Sequence, residues 1–210
     1  MTRDIFACRI YQGIHQFPQD QMALMQLHAL AVHATLNPNG QPWSRQNRQS
    51  LLSQVGNGKF KGLDELVRKV IVDNYSCSIE QATAREVITY KGQFIPLHVE
   101  DTDLSAVYWL DADARPDPER QDYSGAFVLV NPSGAYGSRK LPWEECRSEI
   151  IHPKPGMLLV FPSYLAHHSH PYNGERPSVE IHFEFMTNLV LNPGLTFPSF
   201  ATQIPNFVKQ

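Results

Sequence analysis

Residues able to do chemistry gather in two stretches of the chain, His98-Val99-Glu100 and Ala166-His167-His168-Ser169-His170, with Arg176-Pro177-Ser178 following the second. Positions two apart on an extended strand share a face, so His98 and Glu100 can grip one ion from one side. A further imidazole from the histidine cluster gives two nitrogens and one carboxylate with other coordination positions left open. That donor set suits ferrous iron and oxidation chemistry. Arginine presents a planar fork of donors to a carboxylate. Arg176, nine positions after His167, is therefore placed to hold an acidic co-substrate.

The ligand choice has alternatives. Asp101 and Asp103 follow Glu100 directly. Asp103 shares the parity of Glu100, whereas Asp101 needs a bulge or turn to reach the same ion. Glu100 is preferred, with Asp101 as the alternate. Among the clustered histidines, the distance to Arg176 and the preceding Phe161-Pro162-Ser163-Tyr164-Leu165 favour His167, leaving His168 and His170 as surface or outlying groups. His15, His28, His33 and His152 lie in helical or loop contexts and read as ordinary surface or core residues.

Parity also sorts the stretch from Arg176 to Phe185. Val179, Ile181, Phe183 and Phe185 make one apolar face, and Ser178, Glu180 and His182 share the opposite face with Arg176. If Arg176 faces a barrel interior, Glu180 and His182 do too, and polar groups there need partners. They are expected to contact a polar substrate or to support the metal ligands.

The elements that must hold these groups follow from periodicity. Helices are expected over 20–33, 44–55 and 63–75, the last with Leu63, Leu66, Val67, Val70 and Ile71 on one face. From about Ala84 the pattern changes to short apolar runs between Pro, Gly and Asp. Strands are expected over 86–90, 105–110, 126–130, 157–161 and 179–185, with loops over 111–124 and 132–145. This order gives a mainly β fold with N-terminal helices covering one face of a sandwich or barrel. One domain is expected over 1–210: helical support to 83, a β core over 84–190 and a C-terminal extension over 191–210.

Bulk properties narrow the partners. A net charge of −3 gives no electrostatic reason to expect nucleic acid. The apolar runs are far too short to span a bilayer, and Asp4 interrupts any signal-peptide pattern at the N-terminus. Cys8, Cys77 and Cys146 are scattered and suggest neither a disulfide framework nor a zinc motif. A cytoplasmic protein without a membrane partner is expected.

Five segments, in order, carry a family resemblance. They are Tyr90-Lys91-Gly92-Gln93 running on to His98 and Glu100, Leu104 to Leu110, Ser124-Gly125 to Pro132, Ile151 to His167, and Arg176-Pro177-Ser178. Together they resemble the Fe(II)/2-oxoglutarate oxygenases, especially the prolyl-hydroxylase-like branch. The resemblance implies a double-stranded β-helix (a jelly roll, cupin-like) with helices packed on the major sheet. It also implies Fe(II), 2-oxoglutarate and O2 as cofactor and co-substrates. His98, Glu100 and His167 would hold the metal. Arg176 and Ser178 would hold the distal carboxylate of 2-oxoglutarate, with Tyr90 adding a hydroxyl.

The reaction so implied couples decarboxylation to succinate with C–H activation, hydroxylation being the expected outcome. The chain offers Glu100 where the family's usual carboxylate is Asp. Keeping an acid there argues for oxygen transfer over halogen transfer and leaves desaturation or cyclisation open. Two rivals remain: a metal cupin dioxygenase without a keto acid, and a non-catalytic β-sandwich binding protein. A small-molecule substrate, such as an amino acid or natural-product intermediate, is expected, because the loops lack a charge stripe for a long peptide. Tyr123, Tyr136, Arg139 and Trp143 are its candidate loop contacts.

Overall fold

A computed structural model of the chain describes residues 8–37, 58–132 and 148–189. Its elements run β1 (Tyr11–Ile14), α1 (Gln19–Leu36), α2 (Lys61–Tyr75), β2 (Cys77–Thr89), β3 (Leu104–Asp111), β4 (Phe127–Val130), β5 (Ser148–Ile151), β6 (Met157–Pro162), β7 (His167–Ser169) and β8 (Ser178–Leu189). Two antiparallel sheets result, a major one in the order β1-β6-β3-β8-β2 and a minor one in the order β5-β4-β7. This is a double-stranded β-helix with two helices against the major sheet. An isolated antiparallel bridge between His98 and His167 ties the segment before β3 to the edge of the minor sheet.

Alternation along the strands divides the core into two layers. Ala84 and Ile88 of β2, Leu104, Ala106, Tyr108 and Leu110 of β3, Leu158 and Val160 of β6, and Val179, Ile181, Phe183 and Phe185 of β8 pack with Leu63, Val67, Val70 and Ile71 of α2 and Met25 and Ala29 of α1. The opposite face of the same strands turns inward between the sheets. There Val107, Trp109, Met157, Leu159 and Phe161 meet Phe127, Leu129, Ile151 and Leu165. β3 is buried at every position because helices cover one face and the minor sheet the other.

Helix α2 spaces its buried residues to form one apolar stripe and puts Asp64–Arg68 and Lys69–Asp73 ion pairs on its outer turns. It ends at Ser76, whose φ of 51° reverses the chain directly into β2. Tyr75 donates its hydroxyl to Val160 O at 2.8 Å, and Tyr108 donates to His15 O at 2.7 Å. Burial pushes both phenols up to about 12. Gly156 opens β6 at φ +83°, where a Cβ would come within 3.2 Å of His15 O and 2.9 Å of Gln16 Cγ.

Two expectations are corrected. β2 begins at Cys77, inside the segment expected to be helical support, and it pairs with β8 from Cys77↔Leu189 to Thr89↔Ser178. Its first half is polar because one face is open to solvent, so it carries no apolar run to announce it. β1, β5 and β7 are additional strands of three or four residues, too short for a periodic signal. The helix expected over 44–55 and the extension over 191–210 lie outside the described residues.

Candidate active site

The long strands act as a frame on which one polar cluster is assembled. The ligand atoms of His98, Glu100 and His167 all lie within 4.8 Å of one another. His98 Nε2 is 3.2 Å from Glu100 Oε1, and the two imidazole rings are 4.1 Å apart between centroids. The bridge between their backbones sets that spacing, with His98 N to His167 O at 3.0 Å and His167 N to His98 O at 2.9 Å. Glu100 is fixed through its own amide, which donates to Ser163 O at 3.1 Å.

Each imidazole also has its tautomer set. His98 Nδ1 lies 2.7 Å from Pro96 O, and His167 Nδ1 lies 2.9 Å from Leu165 O. A carbonyl oxygen only accepts, so each Nδ1 carries a proton and Nε2 is left as the ligand atom of each ring. Burial, reinforced by His98 alongside, pushes the His167 imidazole down to about 3, so it is neutral and able to ligate at ordinary pH. The Phe161 and Phe127 rings, at 5.0 and 5.5 Å, hold its plane. Two oriented nitrogens and a buried carboxylate fit a divalent ion of the ferrous kind.

The cluster lies beside the polar face of β8, near enough for His182 to add to the lowering of the His167 imidazole. Ser178, Glu180 and His182 are all buried on the face opposite the helix-packed apolar one. Ser178 donates its hydroxyl to Glu180 Oε1 at 3.0 Å, and His182 Nε2 lies 2.8 Å from Glu180 Oε2. Burial holds the His182 imidazole below its usual range despite the carboxylate beside it. Trp109, opposite Glu180 in the β3–β8 register, is fully buried, and its indole N–H meets no acceptor among the described residues. A buried donor with no acceptor is suited to an oxygen-bearing ligand.

The other expected site residues fall in different places. Asp101 is exposed, and Asp103 accepts from the Thr187 amide at 2.7 Å, so Glu100 is the acid gathered with the histidines. Arg176 sits at the rim, 64% exposed, with Nη2 3.2 Å from Asp111 Oδ1 and Nε 3.8 Å from Asp113 Oδ2. Tyr90 follows β2, is exposed, and stands 6.4 Å from the His33 ring of α1. Tyr123 lies between the rings of His152 and His170, at 6.4 and 5.8 Å. His168 and His170 pair with each other at 5.5 Å, away from the gathered triad. Tyr136, Arg139 and Trp143 lie outside the described residues.

Sequence reasoning missed Arg85. Its Nη2 donates to Glu100 Oε1 at 2.9 Å, from a position on β2 opposite His182. Only the full length of β2 and its parity could have revealed it.

Comparison with known proteins agrees with this geometry. A family model described as putative 2OG-Fe(II) oxygenase matches residues 86–184, just under half of the chain. Among solved structures, a Pseudomonas putida prolyl-4-hydroxylase is similar at 16% identity and TM-score 0.55, covering 85% of this chain and 86% of that one. A Trichoplax adhaerens prolyl hydroxylase, in complex with a hypoxia inducible factor peptide fragment, is similar at 15% identity and TM-score 0.54, with coverage of 84% and 82%. HygX from Streptomyces hygroscopicus, with nickel and 2-oxoglutarate bound, is similar at 13% identity and TM-score 0.53, with coverage of 84% and 82%. At these identities the likeness is one of fold. No curated protein matches the chain by sequence.

Residues 86–184 are thus similar to the 2OG-Fe(II) oxygenase family, and the chain has the fold of that family's prolyl-hydroxylase-like branch. It is an oxidoreductase whose cofactor is Fe(II) and whose co-substrates are 2-oxoglutarate and O2. Among the described residues, no helix is long and apolar enough to cross a membrane.

Proposed function

We propose that this enzyme hydroxylates a C–H bond of a small molecule, such as an amino acid or natural-product intermediate, with His98, Glu100 and His167 as its metal ligands. The observation that carries the reading is the preassembled triad, whose ligand atoms lie within 4.8 Å of one another, with both Nδ1 atoms bound to carbonyls. Iron held there, with 2-oxoglutarate and O2, supplies the oxidising power, the keto acid leaving as succinate and CO2.

The chain's own residues bind, orient and exclude water. Arg176 and Ser178, at the start of β8, receive the distal carboxylate of the co-substrate, the arginine turning from its rim aspartates to do so. Phe127 and Phe161, packed with Val107, Leu129 and Leu159, set an apolar wall against His167 that limits water near the metal. His182 donates from Nε2 to Glu180, which leaves Nδ1 as an acceptor for a hydroxyl or amine of the substrate.

The test is a thermal-shift titration of metal-free protein with Mn(II), with and without 2-oxoglutarate, followed by succinate release across amino acids and natural-product intermediates, with peptides as a comparison arm. A keto-acid-dependent rise in Tm that requires the metal is expected. A rise with metal alone and product without succinate would transfer the chain to keto-acid-independent chemistry. Turnover confined to the peptide arm would overturn the small-molecule assignment.

A separate outcome is expected for Glu180→Gln and His182→Gln. Each lowers kcat/KM for the substrate by about tenfold or more, the scale of a lost hydrogen bond to a charged partner. Tm changes little, because the replacement amides still hydrogen-bond. Parallel loss of Tm and activity in both variants would make the pair a structural bond only.

A further inference from the structure

We infer that Arg85 is a positioning residue for the metal centre, holding the Glu100 carboxylate so that this longer ligand works where an aspartate would otherwise be needed. The inference rests on the reading of His98, Glu100 and His167 as metal ligands. Glutamate adds a methylene and a rotor to the ligand arm, and fixing that rotor costs entropy. The structure fixes Glu100 at both ends. Its amide is bound to Ser163 O at 3.1 Å, and its Oε1 accepts from Arg85 Nη2 at 2.9 Å.

Arg85 is itself held. It lies on β2 opposite His182 of β8, only 13% exposed at its side chain, with Nε 3.6 Å from Glu184 Oε1. A guanidinium has five donors in a planar fork, so it can stay on Glu184 while binding Glu100. The Oε1 that accepts from Arg85 is also the oxygen 3.2 Å from His98 Nε2, and a carboxylate has about four lone-pair sites on its two oxygens, so Glu100 can meet the arginine and the ion together. The charge of Arg85 opposes the metal, but Glu184 beside it offsets that charge. Orientation of Glu100 is therefore the larger effect, and loss of the pair weakens metal binding.

The experiment is isothermal titration of Mn(II) into four metal-free proteins: wild type, Arg85→Met/Glu184→Gln, Glu100→Asp, and the triple variant combining them. Removing Arg85 and Glu184 together leaves net charge unchanged, which isolates orientation from electrostatics. In the Glu100 protein the pair's removal raises the Mn(II) Kd about tenfold, within the range seen when outer partners of metal ligands are lost. In the Glu100→Asp background the same removal changes Kd less than about twofold, because the shorter arm withdraws the carboxylate from the guanidinium. Mn(II) EPR lines broaden in the first case and not in the second.

Arg85→Lys keeps the charge without the fork and gives an intermediate Kd, which serves if the double variant does not fold. An unchanged or tighter Kd on removing the pair, or an equal loss in both backgrounds, overturns the inference. If wild type and His98→Ala bind Mn(II) alike, the metal centre itself has been misread and the inference falls with it.

Discussion

His167→Phe is expected to end metal-dependent turnover while making the metal-free protein more resistant to acid. The first effect follows from losing one of the two nitrogens of a preassembled donor set. Succinate formation should fall by more than about a hundredfold, beyond the 10–100-fold usual for outer partners of a ligand. The second effect follows from linkage. The folded imidazole sits at about 3, against an ordinary value of 6.5 in the unfolded chain. Between these values the unfolded chain holds the proton and the folded protein does not. Stability is therefore complete above about pH 6.5 and declines as pH falls towards 3, at roughly 1.4 kcal/mol per pH unit for such a group. Phenylalanine fits among Phe127 and Phe161 and cannot take up that proton. Urea midpoints of metal-free protein at pH 7, 6 and 5 check this. The variant should lose less between pH 7 and 5 than wild type; equal slopes would mean the imidazole is not buried neutral.

The expectation for β8 shows why much of this site could be read in advance. Two-residue alternation fixes which side chains share a face, so Val179, Ile181, Phe183 and Phe185 announced one face, and Glu180 and His182 had to take the other. The same rule brought His98 and Glu100 to one side. β3 was legible for a related reason, since a strand covered on both faces is apolar throughout.

Arg85 was hidden because the strand was expected to begin only at 86, whereas β2 begins at Cys77. The early half of β2 has an open face, and its polar residues resemble a loop until hydrogen bonding to β8 is known. The end of β2 was also illegible: the strand stops at Thr89, one residue earlier than expected, which leaves Tyr90 outside it. The surroundings of Arg176 were invisible for a third reason. A register shift between Trp109 and Asp111 aims the Asp111 carboxylate at the rim, where it meets both Arg176 and Gln26 of α1. Bulges of this kind leave no mark in hydrophobic pattern.

Those rim aspartates determine a second large effect. Arg176→Ala should raise the apparent Kd for 2-oxoglutarate of the Mn(II)-loaded protein by about 10–100-fold, the scale of a lost charge-assisted hydrogen bond. Asp111→Asn should do the reverse and tighten binding severalfold. The reasoning is competitive. Arg176 at 64% exposure is screened by water, so its ion pairs with Asp111 and Asp113 are weak and exchangeable. A 2-oxoglutarate carboxylate must draw the guanidinium from those acids, and neutralising Asp111 removes the stronger rival. Asparagine keeps a carbonyl oxygen for Gln26, which donates to Asp111 Oδ2 at 3.1 Å, so the rim retains its shape. Isothermal titration of 2-oxoglutarate into the three proteins separates the cases. Opposite shifts in the two variants place the distal carboxylate on Arg176. If neither variant moves the Kd, Arg176 is a rim residue held by its aspartates, and the co-substrate must find another cation.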